Sequence, residues 1–250
     1  MMTLAGRTAV IDGGSGEHGF AIAEAFLAHG MNVCIVCSRE PKAKIAAEKL
    51  AKYGDRLLPT WNGGVNGIEA AAEKFGGVDV IVPLSGSEPS AVPIEDITLD
   101  YWNWVMKGHV TGSYLMLQKA LPYFANSKAP RVLLFANDEC LSGGLECGLA
   151  YNCAKGAIVS MTYTAAKLLA SKGITVNCIA VGSAYNRSVM GMVECGMTPP
   201  PALPIKAEEV PLGRLCTPED VAAAACYLAS EEAGFITGEV LNLSGGLHIG

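Results

Sequence analysis

Near the amino terminus the apolar run Thr8-Ala9-Val10-Ile11 leads into Asp12-Gly13-Gly14-Ser15-Gly16-Glu17-His18-Gly19, and an apolar-periodic stretch from Phe20 to His29 follows. A short, wholly apolar run reads as a buried strand, and the period of the later stretch reads as a helix. That order gives Gly14, Gly16 and Gly19 their meaning. They permit a tight turn and let a pyrophosphate approach the amide groups that open the helix. The turn therefore predicts a dinucleotide at the start of an α/β sheet.

The alternation continues along the chain. Further strands are expected over 32–37, 57–60, 79–82, 131–136, 174–180 and 239–243. Helices are expected over 41–53, over 99–126 with a break near Gly108 to Gly112, and over 150–170. A last helix should start with Thr217 as cap and Pro218 at its first position. Only one short helix fits between the third and fourth strands. The prediction is a Rossmann-type, doubly wound parallel sheet of seven strands with helices on both faces. Ligands on such sheets sit at the carboxyl ends of the strands, where the glycine turn, the 137–148 loop and the 182–216 segment would converge. The last of these is rich in proline and methionine and has no clear period, which reads as a substrate lid. No linker or internal repeat interrupts the 250 residues, so a single dinucleotide-binding domain over 1–250 is expected.

Half the residues are apolar and 17% are charged, which suits a large buried core. A net charge of -6 gives no basic footprint for nucleic acid. The apolar runs are too short to span a membrane, and Met1 leads into a strand without a signal peptide, so a cytoplasmic protein is expected. Nine scattered cysteines, an odd number, point to reduced thiols. Cys34 and Cys37 stand three apart in a strand, on opposite sides of it, and read as packing residues with no metal between them.

Tyr151 and Lys155 stand four apart in a good helix-forming stretch, on one face and one turn apart. An ammonium held beside a phenol favours the phenolate, and a tyrosine so poised can give a proton to a carbonyl oxygen or take one from an alcohol. At the end of the second strand no acid precedes Glu40, and Arg39 can meet a 2′-phosphate with a forked, charge-assisted bond. That favours NADP(H) over NAD(H). The bland alternative for Arg39 is a surface arginine opening a helix.

Taken together these features resemble the short-chain dehydrogenase/reductases. The likeness rests on Tyr151-x-x-x-Lys155, Val176-Asn177-Cys178-Ile179-Ala180, and Pro211-Leu212-Gly213-Arg214-Leu215 followed by Thr217-Pro218-Glu219-Asp220-Val221-Ala222. Ile236-Thr237-Gly238-Glu239 and the Gly245-Gly246 pair add to it. The resemblance implies Tyr151 as acid/base, with Lys155 as its electrostatic partner and a contact to the nicotinamide ribose. It implies cofactor contacts from Gly13, Ser15, Gly16, His18, Gly19, Arg39, Ser85, Gly86, Tyr151, Lys155, Gly182 and Asn186, and a homotetramer or homodimer.

The family's active-site pattern is altered in several places. Asp138 stands thirteen residues before Tyr151, where a serine is usual, unless a loop shift brings Ser142 there. His109 stands where an asparagine usually holds a relay water, and a neutral imidazole can make the same contacts. Pro83-Leu84-Ser85-Gly86 replaces Asn-Asn-Ala-Gly, Val181-Gly182 replaces Pro-Gly, and Asp12 replaces a threonine. Asp138 is expected either to donate as a buried neutral acid or to accept from a substrate hydroxyl, with His109 as a positive partner. The expected function is NADP(H)-dependent interconversion of an alcohol and a ketone on a small or medium-sized, largely apolar molecule. The alternatives are a redox-neutral isomerase, epimerase or dehydratase using Tyr151 and Asp138, and a weakly catalytic dinucleotide sensor.

Overall fold

A computed structural model describes residues 2–86, 90–145, 147–182, 184 and 207–249. The apolar runs are strands whose side chains alternate between two cores. Strand β1 is Thr8–Asp12, β2 Asn32–Val36, β3 Leu57–Thr60, β4 Val80–Pro83, β5 Arg131–Asn137, β6 Thr175–Val181 and β7 Val240–Leu243. They form one seven-stranded sheet in the order β3-β2-β1-β4-β5-β6-β7, and the pairings are parallel. Ala9, Ile11, Val33, Ile35, Val80 and Val82 enter one core, while Val10, Cys34, Val36 and Ile81 enter the other. Burial on both faces is why these strands are continuous apolar runs with no polar alternation. Cys34 and Cys37 fall in opposite cores, as their spacing requires.

Three helices cover the first core: α1 (Glu17–Ala28), α2 (Glu40–Lys49) and the helix over Pro218–Ala229, which is α8 below. Helices α3 (Gly64–Phe75), α5 (Gly112–Phe124) and α7 (Leu149–Leu169) cover the second. At the start of α8, Thr217 Oγ1 accepts from the Asp220 amide and Asp220 Oδ2 accepts from the Thr217 amide, a capping box with Pro218 behind it.

Several local expectations are corrected. Helix α2 ends at Lys49, and a 3₁₀ segment over Ala51–Arg56 carries the chain to β3. The stretch after Thr98 does not break at its two glycines. Helix α4 (Leu99–Met106) passes through a π-turn, Lys107–Thr111, directly into α5. Both glycines keep helical backbone angles there, because Val105, His109, Ser113 and Met116 are buried along the same helical side and anchor the chain across the weak spot. The loop after β5 contains one helical turn, α6 (Glu139–Ser142). Most of the expected lid lies outside the described residues.

Candidate active site

The strand order reverses at β1, whose neighbours are β2 and β4, and the ends of β1 and β4 flank the crevice. Backbone packing shapes the glycine turn here. Gly13 has φ +84°, and a Cβ on it would lie 2.9 Å from the Ser85 amide nitrogen. A Cβ on Gly14 would press on Ile35, and one on Gly19 would lie 2.5 Å from the Gly13 carbonyl oxygen. Gly16 is different. A Cβ there meets only the Gly13 carbonyl, at an ordinary 3.4 Å, and as N-cap of α1 it offers no side-chain capping bond. The fold does not demand glycine at 16, and the α1 amides are left uncapped by a side chain, so the residues fit a pyrophosphate.

Around this turn, burial raises the Asp12 carboxyl above its usual range, with hydrogen bonds from Ser85 and the Gly13 backbone pulling the other way. Burial lowers the His18 imidazole. Ser15 is half-buried in the turn. Arg39, exposed, is the N-cap of α2 just beyond the end of β2.

Helix α7 starts after Gly148, whose φ is +77° and where a Cβ would run into the Ser90–Ala91 backbone, so both the angle and the contact call for glycine. Tyr151 is half-buried, and Lys155, one turn on, is buried. The Lys155 ammonium lies 5.3 Å from the centre of the Tyr151 ring and donates to the Phe135 carbonyl on β5 at 3.1 Å. Burial pulls its pKa down to about 8, against the influence of the nearby Cys178, Cys140 and Cys147 thiols. The His109 ring, brought inward by the π-turn, meets Tyr151 edge-to-face at 5.0 Å and 82°.

Asp138 directly follows β5, as the N-cap of α6. A Cβ on Gly182 would lie 3.0 Å from Asp138 Oδ2 and 2.7 Å from Ser244 Cα, so the carboxyl sits beside the ends of β6 and β7. Burial raises its pKa, and the histidine whose charge reaches it is His248. The His109 ring lies against Gly86 and Tyr151. Ser142 is exposed, and its hydroxyl donates back to the Asp138 carbonyl at 3.4 Å, which keeps it within its own helical turn. Asn186 lies outside the described residues.

One group escaped sequence reasoning. Asn137 donates to Asn152 Oδ1 at 2.9 Å, Asn152 donates to the Gly144 carbonyl at 2.9 Å, and the Glu139 carboxylate accepts from the Cys147 amide at 3.0 Å. These bonds tie the 139–148 loop to α7 beside Tyr151. The signal was an asparagine at 152 in an otherwise apolar and small-residue stretch.

Comparison with known proteins gives an independent view. The family model described as enoyl-(acyl carrier protein) reductase matches residues 18–248. Among curated relatives, 3beta-hydroxysteroid dehydrogenase 2 of Eggerthella lenta is 34% identical, over 97% of this chain and 95% of its own. The 2,5-dichloro-2,5-cyclohexadiene-1,4-diol dehydrogenase LinX of Sphingobium indicum is 32% identical, over 99% of this chain and 98% of its own. A solved short-chain dehydrogenase/reductase from Brucella melitensis, described as a glucose/ribitol dehydrogenase, superposes with a TM-score of 0.84 at 27% identity, covering both chains fully.

Proposed function

The chain belongs to the short-chain dehydrogenase/reductase family of NAD(P)-binding oxidoreductases, and from that premise we propose that it interconverts an alcohol and a ketone with NADP(H) as the preferred cofactor. The observation that carries this is the Tyr151–Lys155 pair, a half-buried phenol against a buried ammonium one helical turn away.

When bound, the nicotinamide exchanges a hydride with the substrate's carbonyl carbon. The glycine turn at Gly13, Ser15, Gly16, His18 and Gly19 would receive the pyrophosphate at the start of α1, and the Arg39 guanidinium would hold a 2′-phosphate. Ser85 and Gly182 would border the rest of the cofactor. The Lys155 ammonium favours the phenolate of Tyr151, so Tyr151 releases its proton to the carbonyl oxygen in reduction and recovers it from the hydroxyl in oxidation. Asp138, half-buried and with its pKa raised by that burial, would donate a hydrogen bond to that oxygen while neutral and accept one from a substrate hydroxyl once charged.

A largely apolar, cyclic secondary alcohol is the preferred substrate class, supported by the names of the steroid and cyclohexadiene-diol relatives. The 1–250 chain acts as one domain with a lid over about 182–216. Exposed Trp104, Tyr114, Leu115, Tyr163 and Leu168 support a homotetramer or homodimer. No helix among the described residues is long and apolar enough to cross a membrane, which is compatible with a cytoplasmic enzyme.

A panel of cyclic alcohols and ketones, followed by NADPH and NADH absorbance, tests the reading. NADP(H) should bind more tightly than NAD(H), and Arg39→Ala should erase much of that difference by removing a charged contact of about 1.5–3 kcal/mol. Equal affinities in the parent would exclude the cofactor preference, and failure of the whole panel would exclude the reaction.

A further inference from the structure

The π-turn at Lys107–Thr111 inserts an extra residue into the helical ladder, a feature that recurs at functional sites. Its product is His109, only 4% exposed, whose carbonyl is taken up by the Ser113 hydroxyl at 2.7 Å. The imidazole lies flush against Gly86. A Cβ at that position would overlap the ring, and its three nearest atoms all belong to His109, with Nε2 at 2.7 Å. The same ring meets Tyr151 edge-to-face.

We propose that His109 is a positioning residue for Tyr151, and that residue 86 lacks a side chain in order to admit the His109 ring. This rests on the reading of Tyr151 as acid/base. It gives Gly86 a different task from a cofactor contact: its missing side chain makes room for protein, and the ring that fills the room sets the angle of the phenol. An aromatic pair has a preferred geometry because the ring edges and faces carry opposite partial charge, so the imidazole holds the phenol in one orientation. Any side chain at 86 must displace the imidazole that contacts Tyr151.

The test is a double-mutant cycle of Gly86→Ala and His109→Ala. The first readout is the Tyr151 signal in protein labelled with ¹³C at tyrosine Cζ, assigned with Tyr151→Phe, in the absence of substrate. The second is kcat on a ketone from the panel, and the third is NADPH affinity. Gly86→Ala should move the Tyr151 signal and lower kcat by about 10²-fold, the scale of a misplacement of about 1 Å. NADPH affinity should hold. In the His109→Ala background the same substitution should leave the signal in place and cost less than about twofold in kcat, because the coupled partner is gone. His109→Phe, which restores a planar ring, should keep the signal closer to the parent than His109→Ala does, and this comparison decides the matter if Gly86→Ala folds poorly. A loss of NADPH affinity of equal size in both backgrounds would overturn the proposal in favour of a cofactor contact. So would a Tyr151 signal that ignores His109→Ala. The signal is read without substrate, so failure of the proposed reaction leaves this test standing.

Discussion

The turn after β1 and the loop after β5 both end buried parallel strands on the same edge of the sheet, yet they are built differently. The first is a backbone construction. Gly13, Gly14 and Gly19 touch the Ser85 amide, Ile35 and the Gly13 carbonyl at distances that leave no room for a Cβ. The second is a side-chain construction, in which Asn137, Glu139 and Asn152 hold the loop and Asp138 carries a half-buried carboxyl whose pKa is raised. A site made from backbone tolerates almost no substitution at its glycines but carries little charge. A site made from side chains can change its chemistry one residue at a time while the strand beneath it persists, and the altered positions at 109 and 138 lie in that second kind.

The largest test of this contrast is on the side-chain half. Tyr151→Phe keeps the ring against His109 and removes the ionisable oxygen, so turnover should fall by about 10²–10⁴. Thermal stability and cofactor affinity should stay near the parent's, as measured by melting and by NADPH titration. Near-parental turnover would move the acid/base role elsewhere, with Asp138 the first suspect.

The backbone half should break in the opposite manner. Gly19→Ala forces a Cβ onto the Gly13 carbonyl and should cost about 1–3 kcal/mol of stability, visible as a lower melting temperature, together with cofactor affinity. Gly16→Ala meets no such obstacle and should change stability by less than about 0.5 kcal/mol while still weakening cofactor binding. Equal melting temperatures for the two variants would erase the distinction between fold-required and ligand-required glycines.

The gentlest test is pH. Lys155 is charged below about 8 and supports the phenolate there; as pH rises through that value the proton is lost, and with it the pull on Tyr151. For ketone reduction, kcat/KM of the free enzyme should therefore decline above about pH 8, approaching about tenfold per pH unit. A flat profile across that range would detach turnover from the charge on Lys155.

The two halves also differed in how legible they were. Glycine spacing specifies backbone conformation, so the turn and its place after β1 could be read directly, and the strand period put Cys34 and Cys37 on opposite faces. Helix propensity misled at Gly108 and Gly112, where buried neighbours hold a π-turn that no local preference favours. Sequence spacing located the Cα of Asp138 but not the direction of its carboxyl, which depends on where Gly182 and Ser244 leave space. His109 was legible as a residue type in a helix, and its contact with Gly86 was not, because the two lie on segments whose approach only the tertiary fold determines.

The parallel pairing of β6 with β7 has an implication for how such a chain can diversify. Strand β7 joins the sheet only after the whole stretch from Val181 to Val240 has been closed, and the capping box that starts α8 is tied to the preceding segment, because the Arg214 guanidinium also holds Asp220. Closure entropy grows only with the logarithm of loop length, by about 0.6 kcal/mol per doubling. Val210, Leu212 and Arg214 pack or bond against the rest of the fold, so added length costs least, in closure entropy, between Gly182 and Ala207. Length added there need not disturb the pairing of β6 with β7 on either side of it.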